Sequence, residues 1–370
     1  MIMKKFQFRI GLIVLLLGVS GFVRAQQVDI AQLQRKAVSN DPVAQFTLAT
    51  YYEAGHGVNR NPKAARYWYF KSAEAGYEKA EYRLSQLYQF GKLGLSQNVD
   101  SSRYWQKKAG YDGNLDAQKE LYHHFDKVQP EREAALYWMR RCAENGDSVY
   151  MYLLAKAYAD KEFGEKEADA QSYDWYEKSA EAGYRLAQTE MGNIYLMGIG
   201  RKKDYGQAMD WFKKAAAQNE HAALYNIGTM YEKGQGVEKN HRRALSYYKK
   251  ASENGDVVAK FYIAMNYVLG DVARRNLKQA AKYFNEYYGE AKSEFLKSET
   301  LKYWKRYKLD DFLGKNEKRN IEKKERKADK SHTTSLFLRY SEKFIFLKDG
   351  LGCPFFALAD NPVYQKASPC

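Results

Sequence analysis

The chain has 370 residues, of which 45% are hydrophobic, 15% aromatic and 28% charged, with a formal net charge of +15 and a mean hydropathy of −0.70. Six prolines, set against abundant Ala, Tyr, Lys and Glu, argue against a β-sandwich and for helix; the length allows two or three domains. The charge is uneven: residues 291–370 hold 18 Lys+Arg against 11 Asp+Glu, while residues 26–290 hold 38 basic and 34 acidic residues. A nucleic-acid partner inferred from the isoelectric point of the whole chain is therefore not expected.

Residues 1–25 read as a signal peptide. Lys4, Lys5 and Arg9 precede a short apolar core, Ile10 to Val19, and Val23-Arg24-Ala25 puts small residues where a signal peptidase reads them. The apolar run is shorter than the ~20 residues of a spanning helix. Cleavage after Ala25 and a periplasmic or secreted location are expected.

A polar lead-in, residues 26–43, is followed by repeats over residues 44–291. A first helix opens at Ala44, Ala80, Ala117, Tyr150, Ala187, Ala223 and Ala259. Five residues on stands a mostly small residue: Ala49, Ser85, Tyr122, Ala155, Gly192, Gly228 or Ala264. Eight residues on stands an aromatic: Tyr52, Tyr88, Phe125, Tyr158, Tyr195, Tyr231 or Tyr267. The second helices carry Trp68, Trp105, Trp138, Trp175, Trp211, Tyr247 and Phe284 in one column, and eight residues later Gly76, Gly113, Gly146, Gly183, Asn219 or Gly255 ends the helix. Helices this short are marginal alone, since isolated helices under ~12–15 residues barely form in water. Each needs cover from its partner and from neighbouring copies. Small columns let helices approach, and the aromatic column fills the space between pairs; a fixed period of this size marks a solenoid.

The pattern, as in AQFTLATYYEAGHGV with ARYWYFKSAEAG, resembles the Sel-one-like repeat (SLR) family, relatives of tetratricopeptide repeats. The resemblance implies an all-α fold: a right-handed α/α solenoid of seven helical hairpins that binds other proteins without catalysis. Copies three and four depart from the pattern. Phe125 leads into Gln129-Pro130 without a glycine turn, and Lys161 to Asp169 form a charged loop. Copy two has a longer turn, Gly91 to Asp100.

Residues 292–331 read as a capping helix, with Phe295, Tyr303, Trp304 and Phe312 at near-helical spacing, and a basic charged segment. Residues 332–370 read as a small appendage that could hold a β-hairpin turning at Asp349-Gly350. Cys142 falls in a column of small residues and is expected to be buried. Cys353 and Cys370 are expected to form a disulfide in an oxidising space, with two other pairings open.

Candidate chemistry is sparse. Ser246 and Lys249 match S-x-x-K, but no companion S-D-N or K-T-G follows, and Tyr247 and Lys249 already belong to the repeat. His123 and His124 are adjacent, so they point about 100° apart on a helix and cannot grip one metal together. No catalytic residue, metal or cofactor is expected. The better candidate is a partner-binding face, three and six residues after each opening position: Arg83, Gln86, Glu120, His123, Lys156, Glu190, Asn193, Asn226, Thr229 and Tyr262.

The leading expectation is an exported, monomeric scaffold that holds a partner protein or peptide on that face. Members of the resembled family include envelope-assembly scaffolds, host-interaction factors and immunity proteins against secreted toxins. The alternatives are an envelope enzyme acting on peptidoglycan or β-lactams through Ser246, and an adaptor whose basic tail docks on anionic lipid.

Overall fold

The computed structural model describes residues 29–160, 168–270, 272, 274–291 and 294–312. Among these residues there are sixteen α-helices and no strand. The expected signal peptide, basic segment, C-terminal appendage and Cys353–Cys370 disulfide lie outside the described residues.

The chain divides into two compact units between Asn145 and Gly146. Unit one holds α1 (Ile30–Val38) and three hairpins: α2 (Pro42–Ala54) with α3 (Pro62–Glu74), α4 (Glu78–Phe90) with α5 (Val99–Tyr111), and α6 (Leu115–His123) with α7 (Arg132–Glu144). Unit two holds four: α8 (Ser148–Ala159) with α9 (Ala168–Glu181), α10 (Arg185–Met197) with α11 (Tyr205–Ala216), α12 (His221–Lys233) with α13 (His241–Glu253), and α14 (Val257–Leu269) with α15 (Leu277–Glu290). Helix α16 (Glu294–Arg306) and a 3-10 turn, Leu309–Phe312, follow. This is the all-α, seven-hairpin architecture of an α/α solenoid.

Side-chain caps start most of these helices. The carboxylate of Asp41 accepts from the backbone of Val43 and Ala44, and Asn61, Asn98, Asn114, Asp204, Asn240, Asp256 and Asn276 do the same for their helices. Such a cap satisfies backbone donors that the first turn leaves unpaired. At the far ends, Asn219 takes the place glycine holds in other repeats and adopts the same left-handed backbone, with φ 58°. Asparagine is one of the few residues that tolerate that region.

The opening alanines Ala44, Ala80, Ala117, Ala187, Ala223 and Ala259 are at most 4% exposed. The tryptophan column lies on the seam between consecutive second helices: Trp105 packs edge-on against Phe70 of the preceding repeat at 6.1 Å, and Trp138 lies tilted against Tyr111 at 5.0 Å. Trp138 and Trp211 are buried there, whereas Trp68, Trp105, Trp175 and Tyr247 are only half-buried. In four of the seven hairpins the core inside the hairpin belongs to the next residue, a column the sequence reading passed over: Tyr69, Tyr176, Phe212 and Tyr248 are 0–5% exposed. These rings lie on the small column of the first helix. A Cβ added at Gly192 would come within 2.4 Å of the Phe212 ring, and one at Gly228 within 2.7 Å of Tyr248. Cys142 is fully buried, as its column predicts.

Both ends are covered. The lead-in, read as merely polar, forms α1, whose Ala37 is fully buried against Ala44 and Leu48, with Trp68 packed beside them. It stands where a preceding second helix would. At the other end Trp304, Leu301 and Leu309 join the core of the last repeat, and Tyr303 stacks on Phe284 at 6.2 Å. This is the expected helical cap.

A polar column ties successive repeats together. The buried amides of Gln45, Gln118 and Gln188 donate to the carbonyls of Ala37, Gly110 and Ala180, eight residues back, at 3.0, 2.9 and 3.1 Å. In repeat two the equivalent residue is Glu81, whose carboxylate cannot donate. Lys108 reaches in instead, bonding Glu81 and the Ala73 carbonyl, the latter at 3.4 Å. Glu81 is fully buried, and burial pushes its carboxyl up to about 7 against the pull of Lys108.

A carboxyl whose folded pKa is raised stabilises the fold fully below its unfolded pKa, and that contribution is lost as pH rises through the folded value. Wild-type stability is therefore expected to fall between about pH 5 and 8, by at most about 3 kcal/mol from this group. Glu81→Gln, which restores the amide of the other repeats, should flatten that slope and raise the melting temperature at pH 8. Unfolding curves across this range check it; an unchanged slope in Glu81→Gln contradicts the assignment.

Candidate partner-binding face

Two polar networks organise the first helices. In unit one the Glu53 carboxylate, at the end of α2, accepts from the Tyr69 hydroxyl at 2.7 Å and from the Arg83 guanidinium of α4. Arg83 in turn donates to Gln86 Oε1 at 3.0 Å. Burial, with Glu53 as acceptor, pushes the Tyr69 hydroxyl far up, so it remains a donor. On α6, Glu120 accepts from the Tyr82 hydroxyl at 2.7 Å and from the Gln106 amide at 2.6 Å. Burial and that bond push Tyr82 up to about 12. His123 is exposed at the end of α6.

In unit two the Asn193 amide donates to Glu190 at 3.3 Å, and the Asn226 amide donates to Asn193 Oδ1 at 2.9 Å, joining α10 to α12. Thr229 bonds the Asn226 carbonyl at 2.8 Å. Lys156 is exposed on α8. The structure therefore links Arg83 with Gln86, and Glu190 with Asn193, Asn226 and Thr229. It leaves Glu120, His123 and Lys156 the most open of the ten. Asn193 and Asn226 are 4% and 9% exposed, and Tyr262 is 8% exposed. The Tyr262 ring is 5.1 Å from Tyr248 and 5.4 Å from Tyr225. Its place is in the aromatic core, because α14 is apolar on the face where α10 and α12 carry asparagine.

Sequence reasoning missed Glu53 and Glu232. Each stands nine residues after its opening alanine and accepts a 2.7 Å bond from the deep tyrosine of its hairpin, Tyr69 or Tyr248. That recurrence was available in the register. Arg201 was also missed: its guanidinium lies 3.5 Å from the Tyr173 ring centroid and 4.9 Å from that of Tyr195, whose hydroxyl it bonds at 2.8 Å. This is a cation–π clamp on the loop after α10. Ser246 is exposed on α13, and the Lys249 ammonium sits over the Tyr267 ring at 5.6 Å. Among the described residues no group of three or more His, Cys, Asp and Glu could hold a metal ion. No helix among them is long and apolar enough to cross a membrane.

Hairpins of one register, recurring through both units with pinned polar side chains on their first helices, define an α/α repeat protein. The Sel1 repeat matches residues 42–77, 78–114, 122–147, 148–184, 185–220, 221–256 and 257–286, and the chain belongs to the Sel1 repeat family. The third match starts at residue 122, within the repeat whose first helix stops after nine residues.

A protective antigen of uropathogenic Escherichia coli with an SLR fold is similar in structure: 28% identical, TM-score 0.52, covering 84% of this chain and 66% of that one. A Sel1 repeat protein from Oxalobacter formigenes shares the fold at 19% identity and TM-score 0.54, covering 81% of this chain and 91% of that one. Among curated proteins, chitin synthase regulatory factor 3 of Schizosaccharomyces pombe is 26% identical over 194 residues, 50% of this chain. The chain spans 21% of that relative's length.

Proposed function

We propose that this chain is an exported, non-catalytic scaffold that holds a partner polypeptide on the face of its first helices. The observation that carries the reading is the pinned polar network: Glu53–Arg83–Gln86 in one unit, and in the other Glu190, held from below by the buried amides of Asn193 and Asn226. Side chains fixed before binding lose little conformational freedom on binding, which favours recognition over chemistry. Membership of the Sel1 repeat family supports a protein partner. The basic, apolar and small-residue order of residues 1–25 supports export, so the partner is a protein met outside the cytoplasm, such as an envelope component or a secreted toxin.

A photo-crosslinking amino acid at His123 or at Lys156 is expected to capture one partner stoichiometrically. The same probe at Lys63 or Lys213, exposed on second helices, should not. Equal capture from both sets of positions, or none from either, overturns the reading. The mature chain is expected to begin at Gln26 on N-terminal sequencing; a chain kept in the cytoplasm with Met1 intact contradicts export.

A further inference from the structure

The second helices of unit one carry a feature that unit two lacks. One residue before Trp68, Trp105 and Trp138 stand Tyr67, Tyr104 and Tyr137, which are 53%, 60% and 43% exposed. Unit two has Asp174, Asp210 and Ser246 at the corresponding places, and Tyr283 there is stacked on Tyr267. Each exposed tyrosine sits edge-on to its tryptophan, at 5.0 to 5.2 Å. Tyr111, 56% exposed at the end of α5, lies 6.1 Å from Tyr137 and 5.0 Å from Trp138. Tyr111 and Tyr137 thus form one exposed aromatic patch over the buried Trp138. Nothing in the repeat register requires it, and patches of this kind mark binding surfaces.

The patch borders a cleft of about 500 Å³ between α5 and α7, lined also by Leu121 and Phe125. The cleft arises where repeat three departs from the pattern. Helix α6 ends after nine residues and continues as a π-helical turn, His124–Val128, in place of the glycine turn. Such turns are rare and occur often at functional sites. The volume lies in the range of ligand pockets.

Arg103 and Lys107 line the α5 wall one helical turn apart, and both are exposed. Like charges at that spacing disfavour the helix. Among the described residues neither forms an ion pair, whereas the neighbouring Lys108 is bonded to Glu81 and Gln106 to Glu120. Glu131 stands on the opposite wall.

We propose that this cleft binds a short acidic segment of a partner protein. Its carboxylates meet Arg103 and Lys107, and one aromatic or large apolar side chain packs on the exposed rings of Tyr111 and Tyr137, which the buried Trp138 backs. Arg, Tyr and Trp are the residue types that dominate binding hot spots. Glu131 sets the orientation, because negative charge is accepted on the α5 wall and repelled across the cleft. A long polyanion, whether nucleic acid or lipid surface, would meet only two unpaired cations here and would run against Glu131 and Glu120. The cleft is walled by α5 and α7 and reaches the end of α6, so the scaffold reading is checked separately at Lys156, on α8 of the other unit.

The full chain is tested against immobilised short peptides in which Asp and Glu flank a central Trp, Phe, Leu or Ala, with a basic set of the same design as control. Phosphatidylglycerol vesicles and a single-stranded DNA oligonucleotide serve as polyanion probes. Acidic peptides with a central aromatic are expected to bind best. The double variant Arg103→Glu, Lys107→Glu should weaken them at least roughly tenfold with the melting temperature unchanged, and Tyr137→Ala should weaken them too. The proposal is overturned if acidic peptides bind no better than basic ones. Equal binding by the charge-reversed chain, or vesicles or DNA competing as tightly as the peptides, overturns it as well. Photo-crosslinking from Lys156 reads the first-helix face independently.

Discussion

The structure depends on one contact: a ring of the second helix laid on a first-helix residue that has little or no side chain. Phe212 occupies the space a Cβ of Gly192 would need, and Tyr248 does the same at Gly228. With larger alanine at the equivalent place, Ala49 and Tyr69 share one buried cluster, as do Ala155 and Tyr176. Each aromatic side chain so placed removes roughly 150–250 Å² from water. That burial is what lets helices of 12–14 residues persist, since their intrinsic propensity is not sufficient. The tryptophans next to these rings then point about 100° away and join one hairpin to the next.

Stacking leaves an open face at each end of a repeat array, and the chain closes both with helices outside the repeat pattern. Helix α1 buries Ala37 at the first repeat, and α16 buries Trp304 at the last. The same stacking creates buried backbone carbonyls at the seams, and the Gln45, Gln118 and Gln188 amides answer them. Where one repeat replaced the amide with Glu81, a lysine from the following helix supplies the missing donor. The fixed first-helix face follows from this frame. Glu53 and Glu232 take the hydroxyls of the deep tyrosines, so the core aromatics themselves anchor the polar groups at the surface.

Much of the fold was legible because its period is covalent: the small residues at Ala44, Ala80, Ala117, Ala187, Ala223 and Ala259 recur in the sequence and are all buried. The deep aromatic column was not read correctly because Trp68 and Tyr69, or Tyr247 and Tyr248, are adjacent aromatics. A periodicity argument cannot tell which of two neighbours faces the partner helix. Helix α1 escaped notice because it is only nine residues long and buries a single alanine. On the candidate face, sequence spacing found residues that do share a side, including the bonded Asn193 and Asn226. It could not foresee that Tyr262 would turn into the core, since that depends on the apolar surroundings of α14. Repeat three was recognisable as irregular, but a missing glycine does not announce a π-helical turn or the cleft it opens.

The central claim is that a ring–backbone contact of the kind Phe212 makes at Gly192 holds such a hairpin together, and its sign can be measured. Helix propensity alone makes Gly192→Ala stabilising by about 1 kcal/mol. The packing of Phe212 makes it destabilising by about 1–3 kcal/mol through overpacking. Denaturant unfolding of Gly192→Ala, Phe212→Leu and the double variant decides between them. The account predicts that Gly192→Ala lowers stability and that the double variant loses less than the sum of the two. A stabilised or neutral Gly192→Ala, or strict additivity, would contradict it.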